Sequence, residues 1–189
     1  SVRLRAVHPA SGVGSVDIWN LPESGDPGKL YDDVPFGAVG DYYDLPVSAY
    51  AIGFDVNEDA VPDIIYAVPE LPEGTVANVF AVNDSEGVAL MAQIGGDTVV
   101  RLDVPETAVR VLHLSPDAPA VDVFVNNGAD PASENLAFEE STGYVELPSA
   151  GYSFHVSAAG QPASSSVLDI EGLILRPGRS YTAVAYNVL

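Results

Sequence analysis

RVLHLSPDAPAVDVF, Arg110–Phe124, is the stretch on which the architecture turns. Before its Ser-Pro-Asp-Ala-Pro turn, Val111 and His113 share a strand face with Val109; after it, Val121 and Val123 share a face while Asp122 points the other way. Apolar residues two apart, β-branched side chains and a Pro-bounded turn specify two strands and a loop rather than a helix. The same alternation runs through VRLRAV, SVDIW, TVANVFAV, VALMAQI, AVDVFV, YSFHVS and YTAVAYN. Short strands with turn signals about every 8–12 residues predict an antiparallel sandwich or barrel. No segment keeps a helical apolar stripe, and a helical turn is expected at most near Pro131–Asn135.

Working outward, the stretch has a partner near the start of the chain. Arg5–Trp19, RAVHPASGVGSVDIW, lies over Arg110–Phe124 without a gap, setting Arg5 on Arg110, His8 on His113 and Asp17 on Asp122. Phe36–Phe54 lies over Phe138–Val156, with Tyr42 on Tyr144, Leu45-Pro46 on Leu147-Pro148 and Tyr50 on Tyr152. LPEGTVANVFAVN (71–83) lies over LRPGRSYTAVAYN (175–187). Three blocks in one order predict a duplicated unit of about 85–100 residues, each copy long enough for a small sandwich. The expectation is therefore all-β, two tandem immunoglobulin-like antiparallel β-sandwich domains, residues 1–104 and 105–189, with the boundary near Pro105. After Asn83 the first copy continues into another strand, whereas the second stops at Leu189, so either the sequence is truncated there or its sheet lacks one strand. Such an edge is a pairing liability, and TVVRLDV (98–104) or a neighbouring chain is expected to cover it.

Composition narrows the partners. Against 27 Asp and Glu stand 7 Lys and Arg, a formal charge of −20, and there is no Cys. A nucleic-acid partner is excluded by the lack of a basic footprint. The missing thiols exclude disulfides, thiolate zinc sites and a Cys nucleophile. The apolar runs are too short to span a bilayer, so no membrane insertion is expected in this segment. Nor does Ser1 open a signal segment, so an export signal would lie upstream of it.

LHLSPDAPAVDVFVNNG (112–128) resembles the signature of a family of exported bacterial and archaeal domains of unknown function. Support comes from FEESTGYVELPSAGYSFHVSAAG (138–160), LRPGRSYTAVAYN (175–187) and, in the first copy, DDVPFGAVGDYYDLPVSAY (32–50). The first copy departs at His8-Pro9-Ala10-Ser11, where Ser-Pro-Asp-Ala-Pro would stand. The resemblance implies a β-sandwich, often in tandem, on secreted or envelope proteins with adhesion-like roles. It brings no catalytic residues.

The candidate residues divide into structural and metal-ligating sets. His8 and His113 each close an apolar strand face before a turn, which suits a hydrogen-bonded structural residue. Arg5 with Asp17, and Arg110 with Asp122, are expected to form cross-strand pairs. His155 stands alone on its strand. The loop DVNEDAVPD offers Asp55, Asn57, Glu58, Asp59 and Asp63 as oxygen ligands for calcium, although its spacing is not that of an EF-hand. Trp19, Tyr42, Tyr43, Tyr50, Tyr144, Tyr152, Tyr181 and Tyr186 are strand aromatics. Adjacent Tyr42 and Tyr43 should face opposite sides, one in the core and one exposed. No nucleophile elbow, phosphate loop or His-Glu-x-x-His is present, so the chain is expected not to be an enzyme. The expected function is adhesion to, or recognition of, a protein or glycan at the envelope. The alternatives are a structural spacer or surface-layer module, and a calcium-dependent binding module with no other cofactor.

Overall fold

The computed structural model describes residues 1–85 and 87–186. The chain divides into two compact units, Ser1–Pro105 and Glu106–Leu189. Among the described residues the regular structure is β throughout, apart from one short 3-10 turn at Ala163–Ser165. That helical turn thus lies in the 159–167 loop. Pro131–Asn135, where one was expected, instead leads into a strand over Ser133–Leu136.

Unit 1 contains β1 (Val2–Val7), β2 (Val16–Pro22), β3 (Gly28–Val34), β4 (Tyr43–Leu45), β5 (Tyr50–Asp55), β6 (Ile64–Val68), β7 (Val76–Asp84), β8 (Gly87–Ile94) and β9 (Thr98–Arg101). One sheet runs β4-β1-β7-β8-β9 and the other β3-β2-β5-β6. Most neighbours are antiparallel, but β1 pairs parallel to β7, with Arg3 opposite Val76 and Val7 opposite Phe80. Strand β1 shows why the sheets stack. Val2, Leu4 and Ala6 are buried while Arg3 is exposed, the period of two that a half-buried strand requires. Leu4, Ala6, Val79, Ala81, Leu90 and Ala92 of the first sheet meet Val16, Ile18, Ile52, Phe54 and Tyr66 of the second in one core. That is a β-sandwich.

Strand β5 is buried along its whole length, on both faces. Its outer face is covered by the loop that follows it. Gly53 is required there, because a Cβ at that position would stand 2.8 Å from Cβ and Cγ of Pro62 and 3.0 Å from Leu21 Cδ1.

Unit 2 contains β10 (Glu106–His113), β11 (Val121–Val125), β12 (Ser133–Leu136), β13 (Val145–Pro148), β14 (Gly151–Ala158), β15 (Leu168–Ile174) and β16 (Ser180–Ala185). Its sheets run β13-β10-β16 and β12-β11-β14-β15. Strand β10 pairs parallel to β16 as β1 does to β7, with Arg110 opposite Thr182 and His113 opposite Ala185. Among the described residues the core shows two clusters. Val111, Val121, Val123, Leu136 and Val156 form one cluster, and Val109, Phe154 and Leu175 another.

The strand over Thr98–Arg101 does not cover β16. It pairs with β8 inside unit 1, Met91 opposite Arg101. Its register with β8 adds another rung to the first sheet, and this commits the segment to unit 1. The end of the second copy, Asn187–Leu189, lies outside the described residues.

Candidate functional site

The two histidines that mark the turns are both buried and hold those turns. His8 Nε2 donates to the Gly14 carbonyl at 2.9 Å, and His113 Nε2 donates to the Pro119 carbonyl at 3.0 Å. In the same tautomer His113 Nδ1 accepts from the Ser115 N–H at 3.3 Å. Each ring also stands edge-on to a Phe, His8 to Phe36 and His113 to Phe138, with centroids 6.4 Å apart in both units. The backbone brings that Phe close, because Gly37 N–H donates to the His8 carbonyl and Glu139 N–H to the His113 carbonyl.

The expected Arg–Asp pairs do not form. Arg5 Nε donates to Asn78 Oδ1 at 2.6 Å and its guanidinium lies over the Tyr42 ring, 4.7 Å from the centroid. Arg110 does the same with Thr182 Oγ1 at 3.0 Å and with Tyr144 at 4.7 Å. The parallel strand at each Arg's side supplies the acceptor, so no carboxylate is needed. Asp17 and Asp122 are buried and bind backbone instead. Asp17 Oδ1 accepts from the Asp33 N–H at 2.8 Å, and Asp122 Oδ1 from the Asn135 N–H at 2.7 Å. Both donors sit at positive φ, 51° and 55°, a conformation that Asp and Asn tolerate best among non-glycine residues. The second oxygen of Asp17 meets the Lys29 ammonium, and that of Asp122 the Gly160 N–H at 2.7 Å. Burial pushes the Asp17 carboxyl up, but its bonds to Lys29 and to the Asp33 N–H outweigh this and hold it below the ordinary value.

The acidic loop is self-contained. Asp55 is fully buried; its Oδ1 accepts from the N–H groups of Asn57 (3.3 Å) and Glu58 (2.7 Å), and its Oδ2 from that of Ala60 (2.9 Å). Asp63 Oδ2 accepts from Val56 N–H at 2.8 Å, Asn57 Oδ1 from Asp59 N–H, and Asp59 Oδ1 from Val61 N–H. Partial burial and the nearby charges of Asp55 and Asp59 raise the Asp63 carboxyl. Oxygens of Asp55, Asn57, Asp59 and Asp63 are thus engaged by the loop's own amides, while the Glu58 carboxylate makes none of these bonds.

Neither Tyr42 nor Tyr43 enters the core. Tyr42 carries Arg3 and Arg5, while Tyr43 stands edge-on to Tyr31 at 5.0 Å. Tyr31 is the buried ring, and its hydroxyl, which accepts from Ala6 N–H, is pushed up to about 12 by burial. Tyr152 closes its corner on the Pro148 carbonyl at 2.9 Å, whereas the Tyr50 hydroxyl is buried with no partner among the described residues.

Two surface features of unit 2 are candidates for binding. The first is polar. His155 on β14 faces β15, where Asp169 Oδ1 lies 2.7 Å from its Nδ1 and Glu171 Oε1 lies 3.9 Å away. The ligating atoms of the three all lie within 4.8 Å of one another, a set able to hold a divalent cation. Three contacts compete with that use. Ser153 Oγ donates to Glu171 at 2.6 Å, and bonds from Ser166 and then His155 hold the Asp169 carboxyl down. Nε2 of His155 is buried without a partner, whereas a metal-bound imidazole needs support for its other N–H. Sequence spacing hid this cluster, since strand pairing joins residues 14 and 16 positions apart.

The second feature is apolar. A groove beside β16 is lined by His113, Ala118, Val121, Val156, Val167, Leu168, Ala185 and Tyr186. Val167 and Leu168 are exposed, and Tyr186 is 76% exposed at its rim.

Residues 107–189 match the model of a domain of unknown function, DUF4397. The search of curated proteins returned no match. Among solved structures the chain is similar to the Bacillus anthracis TIE protein at 12% identity and a TM-score of 0.32, over 98% of this chain and 34% of that one. It spans about a third of that protein's length. Among the described residues no helix is long and apolar enough to cross a membrane.

Proposed function

We propose that the chain is a non-catalytic recognition module, secreted or held at the cell surface, that binds a protein or glycan of the envelope. Two copies of one β-sandwich unit are part of this reading. The recurring His–carbonyl, Arg–Tyr and Asp–amide contacts support it, since in both units they hold the turns and strands of the scaffold. The observation that carries the reading is the groove of unit 2, where Val167, Leu168 and Tyr186 leave an apolar surface open beside a strand edge. Single exposed apolar residues are ordinary, but a contiguous group around a concavity marks an interaction surface. A surface-layer spacer without a ligand is the competing role.

The test compares wild-type chain with the double variant Leu168→Lys, Tyr186→Ser on a glycan array and on a panel of immobilised extracellular proteins. Recognition predicts reproducible binding that falls at least tenfold in the variant. Silence on both panels, or equal binding by both chains, would overturn it.

A further inference from the structure

In unit 1 the edge strands β3 and β4 stand on one side of the sandwich, and the Tyr31 ring of β3 closes that side. The ring shares a core with Leu4, Ala6, Ile18 and Leu45, and Tyr43 of β4 meets it edge-on. Its hydroxyl accepts from Ala6 N–H and donates to the Asp41 carbonyl. Strand register carries this arrangement onto β12 and β13 of unit 2. Ile18 stands opposite Tyr31 as Val123 stands opposite Ser133, and Leu4 opposite Tyr43 as Val109 opposite Val145. Gly40 N–H donates to the Ala6 carbonyl as Thr142 N–H donates to that of Val111. Ser133 therefore holds the Tyr31 position and Thr142 the Gly40 position.

The Thr142 hydroxyl makes the two bonds of the Tyr31 hydroxyl. It accepts from Val111 N–H at 3.0 Å and donates to the Gly143 carbonyl at 2.7 Å. No described side chain takes the place of the ring itself. A cavity stands there, walled by Val109, Val111, Val123, Leu147 and Phe154 with the exposed Val145 beside them. It measures about 330 Å³ with its open mouth, of which about 30 Å³ is enclosed. A water would fit the enclosed part but needs two to four polar partners, and the Thr142 hydroxyl is already engaged. The place suits an apolar group.

Two carboxylates beside the cavity differ from their counterparts as well. In unit 1 Asp32 meets the Lys29 ammonium at 2.7 Å, and Asp44 lies 3.7 Å from Arg3. Glu134 follows Ser133 as Asp32 follows Tyr31, but Pro131 holds the position of Lys29. Glu146 stands opposite Ala108 as Asp44 stands opposite Arg3. Both Glu residues are exposed, and among the described residues no Lys or Arg pairs with either.

We propose that unit 2 binds a basic polypeptide segment, which seats one leucine-sized side chain in this cavity and sets Lys or Arg beside Glu134 and Glu146. A leucine side chain suits the space of the ring less the end that Thr142 fills. A sugar would bury hydroxyls against Val and Leu without partners. A free hydrocarbon would find too little enclosed surface to hold it. The net charge of −20 draws a basic segment in. This rests on the recognition reading, at a surface that shares no residue with the groove beside β16.

The probe is a displayed library of random dodecapeptides selected against the full chain. Expected are peptides that join a Leu, Ile or Met to Lys or Arg, and that shift the methyl resonances of Val109, Val111 and Val123 on binding. Changing the apolar residue of such a peptide to Ala should weaken it at least tenfold. Glu134→Gln with Glu146→Gln in the chain should weaken it at least threefold at low salt and little at high salt. Ser133→Tyr with Thr142→Gly rebuilds the closure of unit 1, so it should abolish binding without lowering the melting temperature. A library that yields no peptide, or peptides that leave those methyl resonances unmoved, overturns the proposal. If the panels above give a ligand that depends on Leu168 and Tyr186 while the library gives none, this site falls and recognition stands.

Discussion

His113 and Pro119 are joined across the turn between β10 and β11 by a 3.0 Å hydrogen bond from the buried imidazole to the carbonyl of an exposed proline. His113→Ala removes the donor, leaves the Pro119 carbonyl without this bond and empties the buried space beside Phe138. The expected loss is about 1–3 kcal/mol, chiefly from the cavity left by the buried ring. His8→Ala should behave alike in unit 1. Urea unfolding followed by fluorescence measures both, and a change under about 0.5 kcal/mol would remove the structural role.

Asp17 sets an acid limit. Its folded carboxyl lies below 3.8, so the unfolded chain takes up the proton first as pH falls. The stabilisation is complete above that value and is lost as pH drops through the window beneath it. Asp17→Asn should cost about 1–3 kcal/mol at pH 7. It should also flatten the fall in stability below pH 3.8 relative to wild type. Parallel unfolding curves for the two proteins across that range would contradict this.

Gly53→Ala should be costly although Gly53 lies in an ordinary strand. The added Cβ meets Pro62 at 2.8 Å, and a ring in a loop pinned by Asp55 and Asp63 has little room to move. About 1–3 kcal/mol is expected, the usual scale of overpacking. Thermal melting of the variant checks it.

The loop after β5 yields a prediction about calcium. Asp55→Ala should lower stability by about 2–4 kcal/mol by leaving the amides of Asn57, Glu58 and Ala60 without their acceptor. If the loop's carboxylates serve its backbone, calcium should shift the melting temperature of wild type and variant equally. A calcium-dependent rise in wild type alone would make the loop a metal site.

The net charge of −20 predicts a response to salt. Repulsion among exposed carboxylates is screened within about 8–10 Å at moderate ionic strength, so stability should rise as salt is added from a low starting point. Calorimetric scans at increasing sodium chloride test this, and a flat or falling melting temperature is the contrary result.

The strands were legible because alternation is a one-dimensional signal, and Val2, Leu4 and Ala6 carry it plainly. The turn histidines were legible because each lies within six residues of its acceptor. Partner choice was not. Arg5 meets Asn78 only because β1 pairs with a strand about seventy residues later, and His155 meets Asp169 only through a bulged register. Tyr31 escaped notice for a similar reason. Its burial comes from Gly40, where a Cβ would press within 2.3 Å of the ring, and not from any pattern around Tyr31.

The parallel pairing of β1 with β7 also sets an order of events. Arg3 lies opposite Val76 and Arg110 opposite Thr182, so in each unit the first strand to leave the ribosome is completed by the last or nearly last. Closing a loop of that length before any contact rewards it makes folding slow, in the manner of sheets dominated by distant pairings. During synthesis Val2–Val7 can pair with Tyr43–Leu45 on one side, but its other side waits until Val76–Asp84 emerges. Neither sandwich can close, therefore, before most of its own unit has been made.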